Sequence, residues 1–150
     1  MKLRPHDVIS YEGHDYVVEG VLAYQIGGKA HRLARAVDGG ETVRVLWVEP
    51  LASDGDDRLI LFREVTDLPL ATPPPATISY KGGSYVPRFS GATTAAIEGV
   101  LPDRPAGGCE IWRYRAAGDV YLQIEKWPSK TVVLAGESVH KDMVDVLPAP

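Results

Sequence analysis

Apolar and polar residues alternate along short stretches of this chain, and glycine- and proline-rich punctuation separates the stretches. Val8-Ile9-Ser10-Tyr11, a turn at Glu12-Gly13, then Tyr16-Val17-Val18 reads as a hairpin, with β-favouring residues flanking a glycine that tolerates positive φ. Tyr80, the turn Lys81-Gly82-Gly83 and Tyr85 repeat that pattern, and Gly27-Gly28 and Gly39-Gly40 mark further turns. Thr42 to Val48 and Val120 to Ile124 are rich in β-branched and aromatic residues, as strands require. Leu59-Ile60-Leu61-Phe62 and Thr131-Val132-Val133-Leu134 are apolar runs suited to buried strands. No segment sustains a stripe at 3.6-residue spacing. Glu137 to Leu147 fits two patterns: Val139, Met143, Val144 and Leu147 at helical spacing, Val144 and Val146 at strand spacing.

An internal repeat organises these elements. Ile9 to Val18 aligns with Ile78 to Pro87 at an offset of 69, with six of ten positions identical. Val45-Leu46-Trp47-Val48-Glu49-Pro50 aligns with Tyr121-Leu122-Gln123-Ile124-Glu125-Lys126 at an offset of 76. The surplus of seven is expected in the loop Leu101 to Gly108. Asp67-Leu68-Pro69 and Val146-Leu147-Pro148 close the two copies alike. The expected fold is all-β: two tandem small antiparallel units, barrel-like or half-sandwich, related by pseudo-twofold symmetry. The first spans residues 1–70, a stiff Pro-rich linker spans 71–75, and the second spans 76–150. A unit of that size is marginal alone, so the copies are expected to share one packed core. Repeat logic then favours strand over helix for Glu137 to Leu147.

Composition narrows the partners. The 150 residues are 45% hydrophobic and 24% charged, which marks a globular chain. Net charge is −4, and neither half carries a basic excess: eight Lys/Arg against twelve Asp/Glu in 1–70, eight of each in 71–150. Nucleic acid is therefore disfavoured as a partner. Cys109 is the only cysteine, which excludes an intrachain disulfide and fits a reducing compartment. The opening Met-Lys-Leu-Arg-Pro-His-Asp lacks the apolar core of a signal peptide, and no apolar stretch is long enough to span a bilayer. These features place the protein in the cytoplasm without membrane insertion.

Candidate chemistry rests on the second repeated block. Strand alternation puts Trp47 and Glu49 on one face, and Gln123, Glu125 and Trp127 on one face. A pseudo-twofold axis would bring two acids and two indoles together as a ligand or partner surface: Trp47, Glu49, Glu125 and Trp127. Such a groove suits a protein partner or a cationic small ligand. The structural alternative makes each Glu an acceptor of backbone N–H groups at a strand end, with each Trp covering a barrel mouth. Glycosidase-type acid–base work is disfavoured, because matched environments do not drive two carboxyl pKa values apart.

The remaining candidates carry little. His6, His14, His31 and His140 show no ligand spacing, so no metal or cofactor is expected. Cys109 reads as a small buried or half-buried thiol. Asp54-Gly55-Asp56-Asp57 lacks calcium-loop spacing, and Gly27-Gly28-Lys29 is not a P-loop. Arg32, Arg35 and Arg44 are expected on a solvated face.

The repeated blocks resemble a bacterial family known as the domain of unknown function numbered four-one-seven-eight. The resemblance lies in Asp7-Val8-Ile9-Ser10-Tyr11-Glu12-Gly13-His14-Asp15-Tyr16-Val17-Val18-Glu19-Gly20, in Leu46-Trp47-Val48-Glu49, in Tyr80 to Tyr85, and in Leu122-Gln123-Ile124-Glu125-Lys126-Trp127. The family often carries Glu-x-Gly-x-Ala after the second hairpin; here Arg88-Phe89-Ser90-Gly91-Ala92 lacks the acid. The resemblance implies a bacterial accessory protein, encoded in some genomes near small membrane proteins and polyamine-synthase-like genes, and assigns no activity. With no coherent catalytic set, the expected function is a non-catalytic binding or adaptor module rather than an enzyme. The alternatives are a ligand-binding domain or enzyme using a Glu/Trp cleft between the repeats, and a purely structural role for the Glu/Trp pairs.

Overall fold

The structure is a computed structural model that describes residues 2–48, 58–105 and 107–150. Glu49 and the Asp54 to Asp57 turn lie outside the described residues. Eleven strands run in chain order: β1 (Val8–Tyr11), β2 (His14–Ile26), β3 (Lys29–Asp38), β4 (Glu41–Val48), β5 (Arg58–Glu64), β6 (Ile78–Tyr80), β7 (Gly83–Gly99), β8 (Gly107–Ala116), β9 (Val120–Lys126), β10 (Thr131–His140) and β11 (Asp145–Leu147). The ambiguous C-terminal stretch is mixed. It continues β10 to His140, makes a 3-10 turn over Lys141–Met143, and ends in β11.

The predicted hairpin turns form where glycine permits them. Glu12 and Gly13 have φ of 49° and 78°, and Lys81 and Gly82 have 46° and 78°. Positive φ at both central residues matches the twist of a two-residue hairpin. Pairing is antiparallel throughout, in the order β11-β1-β2-β3-β4-β5-β10-β9-β8-β7-β6, with a further pairing of β2 to β7. That pairing, Gly20–Ala23 against Ala96–Gly99, closes an eight-stranded barrel. Each half of the chain supplies four barrel strands, and the halves meet at β5–β10 and at β2–β7.

Three apolar clusters follow from strand alternation. The lumen holds Leu22, Leu33, Leu46, Ile60, Phe62, Ile111 and Leu134. On the outer wall of β2 to β5, Val21, Ala34, Val43, Val45, Leu59 and Leu61 pack under Leu3 and Ile9, with Val144 and Val146 against them. On the outer wall of β8 to β10, Tyr114, Leu122, Ile124 and Val133 pack with Ile78 of β6 and Leu68 and Leu70. The apolar run Leu59 to Phe62 lacks alternation because both its faces are covered: Leu59 and Leu61 outside, Ile60 and Phe62 inside.

The connection from β7 to β8 matters most for the interior. It runs from Val100 to residue 106, whereas Gly27 and Gly28 alone join β2 to β3. It returns over the barrel end, where Val100 N–H donates to the Glu19 carbonyl (3.0 Å) and Leu101 enters the lumen cluster. Gly20 makes this possible, since a Cβ there would overlap the Val100 carbonyl. Gly20→Ala is therefore expected to cost about 1–3 kcal/mol by overpacking. Gly39→Ala, with nothing within 4 Å of its Cβ position, should change little. Urea midpoints of both variants against wild type check this.

Candidate functional site

A polar chain of side chains crosses the lumen, carried mainly by β8 and β9. On β9, alternation turns Gln123 and Glu125 inward while Leu122 and Ile124 join the outer cluster. Glu125 and Gln123 are 0% exposed, and Trp127, just past the strand end, is 1% exposed. Glu125 Oε1 accepts from Arg104 Nε (2.7 Å) and from the Trp127 indole N–H (3.0 Å); Oε2 accepts from Gln123 Nε2 (3.3 Å). Gln123 Oε1 in turn accepts from Arg113 Nε (3.1 Å) and Nη2 (2.9 Å), and Arg113 Nη2 donates to the Tyr24 hydroxyl (3.2 Å). Arg104 comes from the β7–β8 connection, and beside it Asp103 pairs with Arg44 of β4.

The far side of this chain is aromatic. The Arg113 guanidinium lies 4.9 Å from the Phe89 ring centroid. His31 stacks on Tyr24 (5.1 Å, 4° between planes) and sits 5.0 Å from Phe89. Its Nε2 is buried and has no hydrogen-bond partner among the described residues. Burial, then the charges of Arg113 and Lys29, lowers the His31 pKa to about 4, so the ring is neutral at physiological pH. Burial raises the Tyr24 hydroxyl to about 12, and burial with nearby Glu125 raises the Cys109 thiol to about 11. Cys109 is thus a protonated, buried thiol, opposite in character to a nucleophile.

This arrangement can hold charge but has little means of doing chemistry. Both Glu125 oxygens are occupied, and the group has no route to solvent. Among the described residues, no three His, Cys, Asp or Glu side chains converge to hold a metal ion.

The sequence-predicted site residues separate. Glu125 and Trp127 come together inside the barrel, whereas Trp47 lies on the outer wall with the β2–β5 cluster. Strand β4 turns Arg44 and Leu46 inward, so Trp47 faces out, across the wall from Glu125. There it helps line a groove of about 680 Å³ with Lys2, Leu3, Ala23, Arg32 and Thr94. The partners of Glu125 are side chains, not the strand-end N–H groups a structural role suggested. The solvated arginine face also needs correction. Arg44 is buried with Asp103, while Arg32 and Arg35 pair with Glu98 and Glu19. Sequence reasoning passed over Arg113 and Arg104. Arg113 shares the inward face of Cys109 and Ile111, so alternation along β8 points to it; Arg104, in a Pro-flanked loop, gives no such signal.

Comparison with known proteins bears on one point. A family model described as a domain of unknown function, DUF4178, matches residues 4–141. No curated protein and no solved structure matches.

Breaking the buried pair with Arg104→Met should cost about 3–5 kcal/mol by leaving Glu125 without its cation, and Arg104→Met with Glu125→Leu should recover most of that. Urea denaturation of the two variants checks the coupling. His31 gives a pH signature. Its folded pKa of about 4 lies below the unfolded value near 6.5, so the unfolded chain binds the extra proton in that window. Its stability contribution is full above pH 6.5 and falls, by on the order of 3 kcal/mol, as the pH drops to 4. His31→Phe should flatten the pH dependence of the urea midpoint across that range.

Proposed function

The chain belongs to the DUF4178 family, and from its filled lumen and grooved outer wall we infer a non-catalytic binding or adaptor module that works through its surface. The observation that carries this reading is the enclosure of Glu125: the acid most suited to chemistry has both oxygens engaged and no exposure. A small barrel that carries a ligand needs space inside. Here Trp127, Leu101, Phe62 and the Arg113–Gln123–Glu125 chain occupy that space. Trp47 remains as a partly buried indole beside a groove on the outside.

That groove favours a protein partner over a cationic small ligand, because Lys2 and Arg32 line it and the acid beside it, Glu98, is paired to Arg32. A cleft enzyme using Glu49 and Glu125 has no support from the enclosed Glu125. A structural role for Glu125 and Trp127 is favoured by their mutual hydrogen bond and complete burial.

We also read the barrel as two copies of one unit, residues 1–70 and 76–150 joined by 71–75, arranged about a pseudo-twofold axis. The support is the strand order, in which β5 pairs with β10 and β2 with β7, each with its counterpart in the other half. A cytoplasmic location fits the lone reduced Cys109, and no described helix is long and apolar enough to cross a membrane.

The test is affinity capture from a native extract of the source cells with wild type, Trp47→Ala, Lys2→Glu and the double Arg104→Met, Glu125→Leu variant. All four must first show wild-type circular dichroism. A partner held by wild type and the lumen variant, and lost by both groove variants, is the expected result. An identical catch from all four would overturn the groove as the binding surface.

A further inference from the structure

Strand β7 is the longest in the protein, and part of its length has a neighbour on one side only. Along Val86–Ala95 it pairs with β8. On the other edge, β6 covers Gly83–Tyr85 and β2 covers Ala96–Gly99. Among the described residues, no strand pairs with that edge between Val86 and Ala95. Near its end β2 runs alongside without ladder pairing, and there the Thr93 hydroxyl donates to the Gln25 carbonyl (2.7 Å). Val86–Ala92 is left as a seven-residue free edge.

Free edges are usually short or blunted, because unpaired N–H and C=O groups recruit other strands. The outermost strands of this sheet obey that rule: β6 and β11 have three residues each. The β7 edge is blunted at one end only, where Pro87 precedes a register shift to Phe89. Beyond it, Arg88, Ser90 and Ala92 are exposed, and the side chains at Ser90 and Ala92 are too small to fend off an incoming strand.

Charge identifies the occupant. Arg88 sits on the edge itself. Lys29, cross-strand partner of Ile26, flanks it at the level of Gly91, where a Cβ would strike Ile26. Lys81 stands at the β6–β7 turn with Nζ 5.4 Å from the Tyr80 ring centroid. None of the three cations has an ion-pair partner among the described residues, and Glu110, across from Ala92 on β8, lies one strand further from the edge. We propose that the free edge Val86–Ala92 takes up an extended acidic segment of a partner protein as an added β-strand. Backbone pairing supplies the affinity, and Arg88 and Lys29 select carboxylates. This names a partner class for the binding-module reading and rests on it, at a surface that adjoins the Trp47 groove at Thr93.

The probe is a fluorescein-labelled hexapeptide alternating valine and glutamate, compared with a valine–lysine version and with a valine–glutamate version N-methylated at alternate amides. Anisotropy reads affinity, and amide hydrogen exchange by NMR reads the site. The acidic peptide should bind saturably, slow exchange at Ser90 to Ala92, and bind at least about fivefold more weakly to Arg88→Glu, an exposed position whose change should not unfold the barrel. The lysine and N-methylated peptides should fail. No saturable binding, equal binding of the N-methylated peptide, or protection elsewhere would overturn the proposal. Binding lost in Trp47→Ala but kept in Arg88→Glu would move the peptide to the groove, sinking the edge while leaving the binding-module reading intact.

Discussion

The polar interior of the barrel is organised around one buried carboxylate. Glu125 sits at 0% exposure in a lumen where a chain of polar side chains threads between leucine, isoleucine and aromatic rings. A carboxylate in such surroundings survives only if its oxygens are met by donors and its charge by a cation. Arg104 supplies the cation, Trp127 and Gln123 the further donors. Each comes from a different place. Gln123 is two residues back on the same strand, Trp127 lies beyond the strand end, and Arg104 sits in the connection that crosses the barrel mouth. Satisfying Glu125 therefore fixes the end of β9 and anchors the plug between β7 and β8. Gly20 permits the same geometry by leaving room for the Val100 carbonyl.

The electrostatics of the interior follow from that arrangement. Among the described residues Arg113 pairs with no carboxylate directly and reaches Glu125 through Gln123, so the region around Tyr24 and His31 feels a cation. Burial, reinforced by that charge, holds the imidazole neutral, and burial with Glu125 nearby holds Cys109 as a thiol. An interior with its carboxylate bonded on both oxygens and its thiol and imidazole uncharged gives specificity to the packing. Both proposed binding surfaces lie outside the lumen, in the groove by Trp47 and along the uncovered edge of β7.

Similar motifs can acquire different environments. The two aligned Glu/Trp blocks suggested a shared surface, but their tryptophans stand at different strand positions. Trp47 lies within β4, one residue after inward-facing Leu46, and so faces out. Trp127 lies after β9, two residues beyond inward-facing Glu125, and so reaches in. Alternation was legible in both strands. Which face would become lumen was not, because both faces of each strand are covered by apolar clusters.

The sequence by itself determined the all-β character, the hairpins and the alternation within strands. These are local consequences of β-branched and aromatic residues, of glycines that accept positive φ, and of the two-residue period of an extended chain. Its grouping of Gln123, Glu125 and Trp127 on one face of the chain rests on the same period. Only the tertiary structure decided that both halves close a single barrel, that Arg104 leaves a loop to neutralise Glu125, that Trp47 stands outside, and that β7 keeps part of one edge bare. Those outcomes join residues far apart in the chain, such as Gly20 with Gly99 and Arg44 with Asp103. Pairings of that kind depend on where strands meet and which face turns inward, and no local pattern of residue types encodes either.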